Sequence, residues 1–433
     1  MFKEVVRLQL RGRPTSHSRS SFLKGAPFLI LALLAVFLLI EGDGNRELSS
    51  SGNGLTTFRG PFVKPLLNPS QVDELHHLVK HMSYKELASL YVSRMTLDEE
   101  LGQLFMVQNG VANYSADLEQ TIERFHVGGV ILYQWQMETF DQTRRDIAEM
   151  QKHATFPLLI STDEEGGTAD RLNNIYPSRP GATEISATGD VHVAAHEGAQ
   201  TAHNLMALGI NADIAPDVDV ALIDGPDQQW RTFGSTAQQV TTFAGAYLNA
   251  IQKAGEIACL KHFPGLGAAS SDAHYGLPVI NRTVDQINSV ELAPYKDFIQ
   301  SKNPFLHPGM IMTTDLLMPA LDPVMPAELS YNIITKVLRQ QLGYDGVVLT
   351  DSLFMEGIYQ NWSFPEAAVL AIKAGDDMII GASGVPELTV DFAALKQALK
   401  DGNLSKRRID ESVIRILALK MQYHVMPAVP PQV

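Results

Sequence analysis

With 433 residues, 45% hydrophobic and 19% charged, the chain has ordinary globular composition and room for a large core, which excludes a disordered or fibrous protein. Its formal charge of −14 is unevenly placed: Lys3, Arg7, Arg11, Arg13, Arg19 and Lys24 face only Glu4 in the first 24 residues, and the acidic remainder argues against nucleic acid as a partner. The single cysteine, Cys259, excludes an intrachain disulfide and reads as a core residue in the run Ile257-Ala258-Cys259-Leu260.

Residues 1–25 form a basic segment, and residues 26–40 an almost wholly apolar one. That order predicts a signal anchor or a cleaved signal peptide. The run is shorter than the ~20 residues usual for a span. With no clear small-x-small cleavage site, the uncleaved anchor is the preferred reading. The positive-inside rule then places residues 1–25 in the cytoplasm and the body outside, anchored to the membrane or secreted. Residues 41–70, with Ser49-Ser50-Ser51-Gly52-Asn53-Gly54, read as a flexible linker. Between 71 and 100, Leu75, Leu78, Val79 and Met82 stand at helical spacing. The tail, 426–433, is Pro-rich and irregular.

Residues 71–425 are predicted to form one catalytic domain. Eight short apolar runs alternate there with helix-like stretches: Leu104–Gln108, Gly129–Tyr133, Pro157–Thr162, Ile210–Ala215, Ile257–Leu260, Gly309–Thr313, Gly346–Thr350 and Asp377–Ile380. Continuous apolar strands separated by helices point to a parallel sheet covered on both faces. Eight of them predict an α/β fold of the (β/α)8 TIM-barrel type, with a doubly wound open sheet as the alternative. In a barrel the chemistry follows the C-terminal ends of the strands. Asp163-Glu164-Glu165-Gly166-Gly167, Asp217, Asp219, Lys261-His262, Asp315 and Asp351 all stand there. Helix capping could account for each aspartate singly, but not for Lys261 and His262.

The stretch Lys261-His262-Phe263-Pro264-Gly265-Leu266-Gly267 and the following Ser271-Asp272-Ala273-His274-Tyr275-Gly276 resemble the signature of glycoside hydrolase family 3, in its β-N-acetylhexosaminidase branch. Four further segments resemble the family's motifs in order: Met95 to Leu104, Asp163 to Leu172, Arg231-Thr232-Phe233-Gly234-Ser235, and Thr350-Asp351-Ser352-Leu353-Phe354-Met355. The resemblance covers roughly residues 95–385. It implies a retaining hydrolase that removes terminal β-linked N-acetylglucosamine-type residues from cell-wall or chitin-derived oligosaccharides. Asp351 would be the nucleophile and the Asp272/His274 pair the acid/base. An Asp beside a His orients the ring and stabilises its charged form. Asp163, Arg171, Arg231, Lys261 and His262 would hold the sugar. No metal and no cofactor is expected.

The chain departs from the family pattern at several positions. Thr168 stands where an Arg is usual, Leu266 replaces a common His, Ala268-Ala269-Ser270 lacks a usual Asp, Ala273 replaces a Ser, and Asp315 stands where the sixth strand often ends in His. These changes bear on substrate more than on reaction type. A phosphorylase using the same site and a catalytically silent sugar-binding surface protein are the competing readings. The chain ends soon after the eighth run, so the expectation is a barrel without the second α/β domain of many relatives.

Overall fold

The computed structural model describes residues 81–225 and 230–428. The expected basic segment, apolar anchor and linker, most of the Pro-rich tail and the first part of the expected 71–100 helix lie outside the described residues. Among the described residues no helix is long and apolar enough to cross a membrane.

Eight parallel strands close a barrel in sequence order: β1 (Phe105–Gln108), β2 (Gly129–Ile131), β3 (Leu159–Thr162), β4 (Ala212–Asp213), β5 (Ile257–Phe263), β6 (Met310–Thr313), β7 (Val347–Ser352) and β8 (Met378–Ile380). β8 pairs back onto β1 through Phe105 with Ile379 and Met106 with Ile380, so no edge is left open. Closure excludes the open doubly wound sheet. Almost every strand residue is buried, because helices cover the outside while side chains fill the inside.

Helical cover begins with α1 (Tyr84–Val92) and α2 (Leu97–Gln103). The single helix expected across 71–100 is interrupted. Met82 precedes the N-cap Ser83, and Thr96 caps a second helix; both caps pair with a glutamate three residues on, Glu86 and Glu99. These reciprocal capping boxes satisfy helix N–H groups that would otherwise be orphaned. Around the barrel follow α3 (Ala116–Phe125), α4 (Phe140–His153), α5 (Ala182–Ala187), α6 (Val191–Leu208), α7 (Ala237–Ala254), α8 (Val284–Ser289) and α9 (Ala293–Ile299). Then come α10 (Asn332–Gln341), wound as a π-helix, α11 (Glu356–Tyr359), α12 (Phe364–Ala374), α13 (Gly384–Lys400) and α14 (Lys406–Gln422).

Cys259 is fully buried in β5, as its apolar neighbours imply. At the N-terminal end of β8 the buried Asp377 accepts from Arg339, Arg408 and Arg415 and from the Ser412 hydroxyl, which ties α10 and α14 to the barrel base. The opposite, C-terminal end carries the cavity.

Candidate active site

The strand ends open onto a cavity of about 510 Å³. Asp163, Arg171, Arg231, Lys261, His262, His274 and Asp351 all line it. Seven of the eight residues singled out in the sequence therefore meet in one place. Asp272 stands behind His274.

The turn after β3 requires glycine. Gly166 and Gly167 have φ of +75° and +59°, and a Cβ on Gly166 would lie 2.4 Å from the Pro180 carbonyl oxygen. This tight turn brings Asp163 and Glu165 to the same cation. Lys261 Nζ donates to Asp163 Oδ1 at 2.7 Å and lies 2.6 Å from Glu165 Oε1, while only 1% of its side chain is exposed. Arg231 grips Glu165 with two hydrogen bonds of 2.9 Å. Burial alone would neutralise these groups. For Asp163, Lys261 and Arg171 outweigh burial and hold the carboxyl below its ordinary range. For Glu165, Arg231 and Lys261 do the same. Burial disfavours the Lys261 ammonium, but Asp163 and Glu165 raise its pKa above the usual value. The result is a fixed array of full charges beside the cavity, oriented before any ligand arrives.

His262 extends the array. Its Nδ1 lies 2.8 Å from Asp219 Oδ2 and 3.9 Å from Asp217 Oδ2, and Nε2 faces Arg231 at 3.5 Å. Burial would discharge the ring, but the hydrogen bond to Asp219 and the charges of Asp219 and Asp217 raise its pKa. Asp217 itself is pushed well up, by burial and then by Asp219. One ligand atom from each of Asp217, Asp219 and His262 lies within 4.8 Å of the others, a spacing that could hold a cation. The Nδ1 to Asp219 separation is that of a hydrogen bond, so the group orients the ring as it stands.

Strands β5 and β7 run further than their apolar runs suggested. Lys261 and His262 lie within β5, and Asp351 within β7, rather than after them. A residue held in a barrel strand has little freedom to move. Asp351 Oδ1 accepts the Ser352 N–H at 2.8 Å, and Oδ2 accepts the Thr314 hydroxyl at 3.3 Å. Its own N–H donates to Glu328 Oε2 at 3.1 Å. Glu328 has no exposed surface; burial first, then Asp315, Asp351 and Asp376, push its carboxyl well above the ordinary range.

His274 reaches the cavity from its rim, on the short turn Ala273–Tyr275. Asp272 caps that turn. Its Oδ1 accepts the His274 backbone N–H and lies at the same 2.8 Å from His274 Nδ1. The imidazole side chain is 60% exposed, against 23% for its partner, so it faces solvent as well as the cavity.

The altered positions divide in two. Thr168, Leu266 and Ala273 line the cavity. Asp315 is wholly buried beneath it and packs under Gly357, where a Cβ would come within 2.1 Å of its Oδ2. No motif quoted from the sequence marks Glu328 or Thr314, and Glu165 stands in one only as a neighbour of Asp163. Glu165 had a signal, since it shares the motif of Asp163. Glu328 had none.

Residues 96–419 match the family description "Glycosyl hydrolase family 3 N terminal domain". The chain is 32% identical over 332 residues to the protein named Beta-hexosaminidase A of Pseudoalteromonas piscicida, covering 70% of this chain but only 55% of that protein. It is 32% identical over 333 residues to Beta-hexosaminidase LpqI of Mycobacterium tuberculosis, covering 74% of this chain and 82% of the relative. Among solved structures it resembles a glycoside hydrolase family 3 β-N-acetylglucosaminidase from Paenibacillus sp. str. FPU-7, with a TM-score of 0.73 and 35% identity over 78% of this chain and 64% of that one.

Proposed function

The chain belongs to glycosyl hydrolase family 3, and from that premise we propose that it is a retaining β-N-acetylhexosaminidase. In this reading it removes terminal β-linked N-acetylglucosamine-type residues from cell-wall or chitin-derived oligosaccharides. The observation that carries the reading is the placement of the Asp351 carboxylate and the Asp272-paired His274 imidazole on one cavity. Retaining hydrolysis needs a nucleophile on one side of the anomeric carbon and a proton donor at the leaving oxygen. The names of the relatives support the N-acetylhexosaminyl specificity.

Asp351 attacks the anomeric carbon while His274 protonates the departing oxygen. A covalent glycosyl-enzyme forms, and His274 then takes a proton from the water that releases the sugar. Asp272 fixes the ring through Nδ1 and stabilises the imidazolium. Asp163, Arg171, Arg231, Lys261 and His262 hold the hydroxyl and acetamido groups. The ion pairs of Lys261 with Asp163 and Glu165, of Arg231 with Glu165 and of His262 with Asp219 set four of these side chains in advance, so binding spends little on reorganisation. The basic segment and apolar run at residues 1–40 support a location of the body outside the cytoplasm, held at the membrane or secreted.

The test is turnover of an aryl β-N-acetylglucosaminide against the matching β-glucoside, with and without phosphate. Phosphate-independent release of N-acetylglucosamine, at a rate well above that on the glucoside, is expected. Sugar-1-phosphate appearing only with phosphate would make it a phosphorylase. Sugar binding without turnover would make it a silent surface protein.

A further inference from the structure

A second recess lies beside the catalytic one. It measures about 560 Å³, comparable with the cavity proposed to hold the reacting sugar. Thr183 and Ser186 come from α5, Ile223 from the segment after β4, Ser235 and Gln239 from the start of the α7 region, and Trp230 completes the wall. The loop from Trp230 to Ser235 divides the two spaces: Arg231 lines the catalytic cavity, while Trp230 and Thr232 line the outer recess.

Trp230 is displayed at a cost. Its φ is +73°, a left-handed backbone that bulky residues rarely adopt. Gly181 allows the close approach: a Cβ there would lie 2.7 Å from the Trp230 carbonyl oxygen. The Thr183 N–H donates to that same carbonyl at 3.5 Å, and the Thr183 hydroxyl to Thr232 O at 2.9 Å. Yet the indole gains little burial from this arrangement, being 55% exposed. A large aromatic held in a strained conformation and left in solvent gains nothing from the core. Around it stand the hydroxyls of Thr183, Ser186 and Ser235, the Gln239 amide and the Asp224 carboxylate, with Ile223 as a second apolar surface.

We propose that this recess is a non-catalytic carbohydrate-binding cleft that takes an N-acetylhexosaminyl unit of a glycan. A pyranose has an apolar C–H face and a polar rim. An exposed indole matches the face, and neutral hydroxyl and amide groups match the rim. An apolar ligand would strip water from the Ser235 hydroxyl and the Gln239 amide, and the Asp224 carboxylate on the same wall disfavours an anion. The cleft holds polymer at the barrel mouth while the catalytic cavity takes a chain end. The identity of the glycan rests on the proposed hydrolase activity; the existence of the cleft does not.

The experiment counts sites. The full chain carrying Asp351→Asn, which suppresses turnover, is titrated calorimetrically with N-acetylchitotetraose. Two sites per chain are expected. Trp230→Asn removes the indole with a residue that tolerates positive φ, and Ala187→Trp fills the recess from an exposed lining position on α5. Either change should weaken the second site about tenfold or more. In the active chain both should leave kcat/KM on an aryl β-N-acetylglucosaminide within about twofold. Glycan binding that survives both changes undiminished, whether one site is counted in the parent or two, overturns the proposal. An active chain that fails to hydrolyse the aryl substrate would overturn the activity, while the site count would still decide the cleft.

Discussion

Glu328 Oε2 accepts the backbone N–H of Asp351 at 3.1 Å, from a side chain with no exposed surface. Burial, and then the nearby Asp315, Asp351 and Asp376, push this carboxyl well above its ordinary range, which favours its protonated form. In that form it braces the peptide of Asp351, the proposed nucleophile, without adding a charge that would compete with Asp351 for the developing positive sugar. Glu328→Gln keeps shape and acceptor and should retain most of kcat. Glu328→Ala leaves a cavity and a buried donor without its acceptor, and should cost about tenfold or more in kcat. Steady-state kinetics beside a melting curve checks this. Equal loss in the two variants would assign Glu328 a charge role instead.

Asp351→Ala should abolish turnover while leaving fold and much of the sugar affinity intact, because the lost bond exists only from the transition state onward. In the unaltered protein a mechanism-based fluorosugar should label Asp351. Peptide mapping that puts the label on another residue, or inversion at the anomeric centre, refutes the nucleophile.

His274→Ala should depend on the leaving group. General acid catalysis is worth ~10²–10⁴-fold, and an activated phenol needs little of it. Chitobiose turnover should therefore collapse while an activated aryl glycoside retains most of its first-step rate. Equal losses on both would remove His274 from the proton-donor role. The exposed ring on its short turn makes this substitution safe for the fold.

The barrel was legible because parallel strands buried on both faces are continuous apolar runs; all eight runs overlap a strand, and six enclose it whole. Where the reading stopped short, it stopped at polarity. β5 continues through Lys261 and His262, and β7 through Asp351 and Ser352, since ladder pairing persists to the barrel mouth although the side chains there are charged or polar. The acidic, basic and histidine side chains that touch the cavity stand in local motifs. Those beneath it do not. Glu328 sits in a Pro-flanked turn, Ala327–Leu329, where a lone glutamate ordinarily marks solvent. Its burial is set by β6 and β7, distant in sequence. Asp217 likewise becomes a partner of His262 only once β4 and β5 lie side by side.

The barrel base yields a prediction that separates stability from catalysis. Asp377 precedes β8, at the end of the barrel away from the cavity. Its Oδ1 accepts from Arg408 at 2.9 Å, Arg415 at 3.2 Å and the Ser412 hydroxyl at 2.8 Å; Oδ2 accepts from Arg339 at 2.5 Å and the Val348 N–H at 3.1 Å. Burial alone would raise its pKa, but Arg339, Arg415 and Arg408 overcome that and hold the carboxyl far below its ordinary range. Removing it leaves three partly buried guanidinium groups without their shared anion. Asp377→Ala should therefore cost about 3–5 kcal/mol, the scale for breaking a buried ion pair from one side. Asp377→Asn should lose less, since it can still accept hydrogen bonds. The folded pKa is depressed, so the contribution of this carboxylate is fully present above the unfolded value of about 3.9 and fades as pH falls through and below it. Denaturant midpoints for wild type and Asp377→Asn should differ at pH 7, begin to converge only below pH ~4, and meet as the pH approaches the depressed folded value. At a temperature where both are folded, kcat should be unchanged. A gap that persists at low pH, or a fall in kcat without a fall in stability, would contradict this account of the base.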